Sequence, residues 1–342
     1  MMRWRRMRMK RLSSLILAMG MALLLLSLFL WINGYPPARV FMALITSAWG
    51  SPTGLILLGT KATLLILTGL AVALPYRAGL FNIGGEGQLS MGALAAVALG
   101  VQPWNALGPL HGVLCVAAGC LGGALWGGLA AGLKSRRGIH EVITTIMLNF
   151  IAFQVVNELT LGVLNAGPGS SRTAMIAGSA RFPLLYTQGA AQLTAGILVS
   201  IGLAAGLSGM LYRTWFGFHL RAVGENPTAA AYAGIAVPRI HQRAMWVGGG
   251  CAGLAGALQV TGIDYTLYAR FGGGYGFDGI AVAFLGLGEP WATIPAALLI
   301  ATLRAGDRAL QLDWNVPREM VFLLEGLLIL CIALFTRMRS HE

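Results

Sequence analysis

Apolar runs of membrane length recur along this 342-residue chain. Inside lipid no water is present to satisfy backbone polar groups, so such runs must be helices or strands of a closed barrel. A helix needs about 20 apolar residues to cross the hydrocarbon core, twice what a barrel strand needs. The runs here have the helical length. Ten can be drawn, at 12–32, 55–74, 78–101, 110–133, 141–161, 191–212, 243–262, 277–288, 291–305 and 320–336. The third, eighth and ninth are short or broken by glycine. Charged residues make up 11% of the chain, against roughly 25% in a soluble domain. The expected fold class is an all-α polytopic membrane protein with about ten transmembrane segments.

An even number of crossings puts both termini on one side, and basic residues indicate which side. One set of loops and ends holds Arg3, Arg5, Arg6, Arg8, Lys10, Arg11, Arg77, Lys134, Arg136, Arg137, Arg213, Arg221, Arg239, Arg243, Arg337 and Arg339. The other holds only Arg39, Arg172, Arg181, Arg270, Arg304, Arg308 and Arg318. The richer set is cytoplasmic by this rule, termini included. The net charge of +12 is thus a topology signal. No basic stripe interleaved with aromatics marks a nucleic-acid surface. The basic cluster Met1–Arg11 resembles the start of a signal peptide. The apolar run behind it is too long for one and ends without a clear cleavage site, so an uncleaved first helix is expected.

Between two apolar runs lies Arg213–Arg243, RTWFGFHLRAVGENPTAAAYAGIAVPRIHQR, which must sit in water. It carries a short helix signal. Asn226 can cap, Pro227 suits the first helical position, and Gly234 suits the exit. This is either an ordinary loop or a docking element. Gly119, Gly123 and Gly127 repeat every four residues, as do Gly202 and Gly206. That spacing lets helix backbones approach closely.

Two glycine-rich stretches interrupt the membrane pattern from within, Pro75–Gln88 and Phe271–Gly279. They lie five segments apart and so enter from opposite faces, as in an inverted repeat with a pathway between its halves. Their carboxylates, Glu86 and Asp278, are then either pathway residues or caps for backbone amides at the interface.

Short motifs lead nowhere. Residues 274–279, GYGFDG, match a dinucleotide fingerprint but follow no strand. His140-Glu141 begins a zinc-hydrolase pattern, but Thr144 stands where the second histidine belongs. Leu133 spoils the nearest approach to a phosphate-binding loop, Gly127 and Gly132 before Lys134-Ser135. His111, His219, His241 and His341 fall near water without clustering. Cys115, Cys120, Cys251 and Cys331 lie in apolar runs and read as packing residues. No catalytic, metal or cofactor site is expected.

From Arg77 to Gln88 the chain reads RAGLFNIGGEGQ. This closely resembles the permease subunits of bacterial ABC importers in the branched-chain amino acid, ribose and nucleoside group. The likeness is greatest to the nucleoside, basic-membrane-protein-dependent branch. Glu141–Asn149, Leu220–Gly234 and Gly274–Gly286 resemble the same subunits, in order, so most of the chain is covered. The resemblance implies that 1–342 is one permease domain of the bacterial inner membrane, a transport subunit and not an enzyme. It implies a cytoplasmic ABC ATPase that hydrolyses the ATP, a second permease subunit, identical or different, and an extracytoplasmic binding lipoprotein. Within the cytoplasmic loop 213–243, it makes Arg221–Gly234 the coupling helix, with Arg221, Gly224, Glu225, Asn226, Pro227, Ala230, Tyr232 and Gly234 at the ATPase contact. The loop Gly162–Gly189 has no counterpart in the pattern.

A nucleoside needs stacking for its base and hydrogen bonds for its ribose. Asn82, Glu86, Gln88, Tyr275, Phe277 and Asp278, with Asn149 behind them, supply both and are expected to line or support the path. Simple sugars and branched-chain amino acids are the alternative solutes. An ion-coupled secondary transporter using Glu86 and Asp278 is the alternative mechanism. An intramembrane enzyme lacks a nucleophile–base or metal set.

Overall fold

The computed structural model describes residues 20–189 and 191–314, with residues 316, 317, 320, 323, 326 and 327. The N-terminal basic cluster, most of the expected segment 320–336, Cys331 and His341 lie outside the described residues. The chain divides into two compact units, residues 1–58 with 298–342, and residues 59–297.

In the first unit, α1 (Gly20–Ile32) and α2 (Pro37–Trp49) are bent by 114° at a short break. Gly34 adopts φ +82° there, and Pro37 opens α2 at a position that needs no N–H donor. Leu26 and Leu30 of α1, Val40 and Leu44 of α2, Leu310 and Val316 form one buried cluster. Residues 37–49 are not among the expected segments. At 13 residues, α2 is about 20 Å long, short of a full crossing.

The second unit contains most of α3 (Pro52–Arg77), then α4 (Gly85–Gly100), α5 (Pro109–Arg137) and α6 (Glu141–Leu161). After a hairpin of β1 (Leu184–Gln188) and β2 (Ala191–Thr194) come α7 (Gly196–Arg213), α8 (Trp215–Glu225), α9 (Pro227–Tyr232) and α10 (Val237–Gln259). A π-helical turn, Val260–Asp264, ends α10, followed by α11 (Tyr275–Leu285) and the start of α12 (Thr293–Trp314), most of which belongs to the first unit. Among the described residues, α3, α5, α6 and α7 are long and apolar enough to cross a membrane, and α1 with α2 makes a fifth if counted as one span. The chain is an all-α membrane protein apart from the hairpin.

The core of this unit is α4, α5 and α10. Glycines place these helices backbone against backbone. A Cβ on Gly253 would lie 2.3 Å from Gly119 O, and one on Gly249 would lie 2.4 Å from Gly123 O. On the α4 side, a Cβ on Gly256 would lie 2.0 Å from Leu89 O. The expected close approach at Gly119, Gly123 and Gly127 is therefore present. Gly202 and Gly206 differ: no described atom lies within 4 Å of where their Cβ would be. α5 ends at Gly138, whose φ of +68° lets its N–H reach Lys134 O.

Three sequence expectations are corrected. Residues 191–194 are a strand, not the start of a helix, because they pair with β1. His111 is fully buried, its Nδ1 2.9 Å from Ser179 Oγ and its Nε2 3.0 Å from Leu99 O. Arg304 is buried inside α12 and is not a loop residue.

Candidate functional site

The two glycine-rich interruptions meet. Glu86, in the first turn of α4 and 2% exposed, accepts from Gly274 N through Oε1 at 3.0 Å. Its Oε2 accepts from Gly276 N at 2.6 Å. The carboxylate thereby satisfies two of the orphan donors where α11 begins. Only glycine fits at 276, since a Cβ there would lie 2.2 Å from Glu86 N. Gly274 reaches the bond with φ +79°.

Behind this junction is a closed set of amides. Asn82 and Gln88 exchange side-chain hydrogen bonds of 2.9 Å in both directions. Asn82 also donates to Ala71 O and accepts from Gly84 N. Asn149 of α6 accepts from Gly87 N and donates to Ile83 O. All three are at most 2% exposed. They hold the turn into α4 against α3 and α6.

In front lies a cavity of about 580 Å³. Glu86 and Phe277 line it, together with Phe150, Phe153, Gln154 and Asn157 of α6 and Arg270, Phe271, Gly272 and Gly274 of the loop. Of the expected path residues, the structure brings Glu86 and Phe277 to the cavity. Asn82, Gln88 and Asn149 stand behind it. Tyr275 is half-buried over Gly273, and Asp278 is 8% exposed within the first turn of α11. Phe150, Phe153, Gln154 and Asn157 escaped the sequence reading. Their spacing of i, i+3, i+4 and i+7 marks one helix face, which starts beside Asn149. The lining combines phenyl rings for stacking with neutral amides for hydrogen bonding. Glu86 already spends both oxygens on backbone amides.

A second candidate surface is the stretch 213–243. It is mostly helical, where a single short helix was expected. Thr214 caps α8 by accepting from Gly217 N, and Asn226 caps α9 by accepting from Ala229 N at 2.9 Å. Pro227 opens α9 and Gly234, at φ +82°, follows it. Tyr232 is 91% exposed and Trp215 80%. Glu225, Asn226 and Pro227 are also exposed, while Arg221 and Gly224 are half-buried. Ala230 requires a correction. It is buried against Leu220, Val223, Ile240 and Ala244, so it supports α9 from within and presents no outer face. Its neighbours Ala229 and Ala231 are exposed.

Comparison with known proteins gives one family. The family described as branched-chain amino acid transport system, permease component, matches residues 56–333. The guanosine ABC transporter permease protein NupP of Bacillus subtilis is 35% identical over 95% of this chain and 94% of its own length. The nucleoside ABC transporter permease protein NupB of Lactococcus lactis is 31% identical over 93% and 89%. The glucose ABC transporter permease protein TsgB13 of Haloferax volcanii is 34% identical over 85% and 78%.

Proposed function

The chain belongs to the branched-chain amino acid transport system permease family, and from that premise we propose that it is the membrane permease subunit of an ATP-driven nucleoside importer. The observation that carries the solute is the cavity between α6 and α11. Its phenyl rings suit a flat base, and the Gln154 and Asn157 amides suit ring nitrogens or ribose hydroxyls. Relatives named for guanosine and nucleosides point the same way. A simple sugar is the second reading, favoured by the glucose-named relative. A branched-chain amino acid fits less well, because its ammonium group would need a free carboxylate.

The working unit is an ABC complex. A cytoplasmic ATPase docks on α8 and α9, with Arg221, Gly224, Glu225, Asn226, Pro227, Tyr232 and Gly234 at or beside the contact and Ala230 beneath it. A second permease completes the path, and an extracytoplasmic binding protein delivers the solute. Residues 1–342 serve as one domain of the inner membrane, crossing about ten times with both termini in the cytoplasm. The start of α4 meeting the start of α11 supports an inverted repeat whose two broken elements converge at the path. In this arrangement Glu86 and Phe277 face the solute route. Asn82, Gln88, Asn149, Tyr275 and Asp278 hold its walls.

Reconstitution tests this. The purified chain alone should neither bind nor hydrolyse ATP. With the chain reconstituted alongside the second permease and the binding protein, labelled guanosine should enter proteoliposomes only with the ATPase and MgATP, in competition with adenosine but not with glucose or leucine. Uptake by the isolated chain under an ion gradient would make it a secondary transporter. Competition by glucose alone would select the sugar reading.

A further inference from the structure

Four elements meet at one polar knot away from the cavity. Arg77, the last residue of α3, donates through Nε to Gly288 O at 2.9 Å and through Nη2 to the Glu289 carboxylate. Tyr212, near the end of α7, places its hydroxyl 2.5 Å from both oxygens of that carboxylate. The guanidinium of Arg221, on α8, lies 5.0 Å from the centre of the Tyr212 ring. The backbone closes the same contact, since a Cβ on Gly224 would lie 2.1 Å from Arg77 O. The turn carrying Glu289 is held in an unusual shape, with Leu287 at φ +53° and Gly288 at φ +67°. A leucine stays in that region only when its surroundings enforce it. Arg77 binds the carbonyl that this shape presents.

The knot has a rigid connection to the cavity. A Cβ on Gly279 would lie 2.6 Å from the Thr68 backbone, and one on Gly69 would lie 2.5 Å from Val282 Cγ1. α3 and α11 therefore touch backbone to backbone at Gly279 and through the Val282 side chain at Gly69, and close packing transmits displacement. One end of α11 leads into the Glu289 turn. The other, about 16 Å away, carries Phe277 and the Glu86 junction.

We propose that Glu289 is a positioning residue for transport. It ties α7 and α8 to the paired helices α3 and α11, so that a shift of α8 moves the Phe277 wall of the cavity. Tyr212 and Arg77 are its two grips. The inference rests on the reading that α8 and α9 receive the ATPase, but the mechanical link can be measured without one.

The reporter is Phe277→Cys in an otherwise Cys-free full-length chain in membrane vesicles, labelled with a membrane-impermeant thiol reagent. Glu289→Ala should change the labelling rate at least about threefold, the scale of a modest coupling between distant sites. In the reconstituted complex carrying native Phe277, the same substitution should lower solute moved per ATP at least about fivefold, with chain yield and ATPase association unchanged. Tyr212→Phe should do part of each, and the swap Arg77→Glu with Glu289→Arg should restore part of each. If Glu289→Ala lowers the yield, Glu289→Gln and Tyr212→Phe are read in the same two assays. Unchanged labelling in all these variants overturns the proposal and leaves the knot a surface staple. Solute uptake by the native chain without any ATPase would instead remove the docking reading, while the labelling result would still decide the link from α8 to the cavity.

Discussion

Replacing Glu86 by glutamine separates two roles that its position allows. Its two oxygens accept from Gly274 N at 3.0 Å and Gly276 N at 2.6 Å. Glutamine can offer one acceptor oxygen. Its NH2 group then faces a backbone N–H, donor against donor. A hydrogen bond to a charged group contributes about 1.5–3 kcal/mol, and an unmet buried donor costs about 1–3 kcal/mol. At 2% exposure, water cannot repair the loss. Glu86→Gln should therefore destabilise the chain by about 3 kcal/mol, and Glu86→Ala, which loses both bonds, by about 5 kcal/mol. Equilibrium unfolding in mixed detergent–SDS micelles measures the difference, with solute uptake followed in parallel. Uptake should fall together with stability, because the bonds hold the wall that carries Phe277. A Glu86→Gln chain within about 0.5 kcal/mol of the native one would refute the capping role. A raised KM with unchanged unfolding would assign Glu86 to the solute instead.

Other outcomes follow from the same geometry. Gly253→Ala drives a methyl to 2.3 Å from Gly119 O and should cost about 2 kcal/mol or more, whereas Gly202→Ala, with open space around it, should be close to neutral in the same assay. Asn157→Ala should raise the KM for the nucleoside several-fold without moving the unfolding midpoint, since the residue lines the cavity. Tyr232→Ala and Ala231→Glu should keep yield and stability but weaken co-purification of the ATPase. Ala230→Glu should instead lower the yield itself, because it puts a charge into the chain's own core.

The sequence announces long, uniformly apolar helices well. The limits 141–161 match α6, and Asn226 with Pro227 marks the start of α9, because caps and proline act on their own few residues. The glycine stripe of α5 was legible too, although its partner α10 was not, since spacing describes one helix at a time. Elements defined by their neighbours were hidden. α2 looks like a loop until Val40 and Leu44 find Leu26 and Leu30. Ala230 looks like an outer face until Leu220 and Ile240 cover its inner one. The amides show the same limit at the candidate site. Polarity inside a membrane says that Asn82, Gln88 and Asn149 need partners, but not whether those partners are solute or backbone. Here they are one another and the turn into α4. Two of the four residues that line the cavity from α6 are phenylalanines, which in a membrane helix look no different from those facing lipid.

The contact of α10 with α5 and α4 also sets which parts of this protein can move. Packed helices slide by small steps in which side chains exchange places. Where Gly249 and Gly253 rest on the backbone of Gly119 and Gly123, there is no side chain to exchange, and a step along the axis drives Cα into carbonyl. The three helices therefore behave as a stator, one block against which other elements work. Motion is freer where elements are fastened through side chains, such as the grip of Tyr212, near the end of α7, on Glu289 in the turn after α11. Cross-links within the stator should leave a transport cycle intact, while cross-links between it and α8 should arrest one.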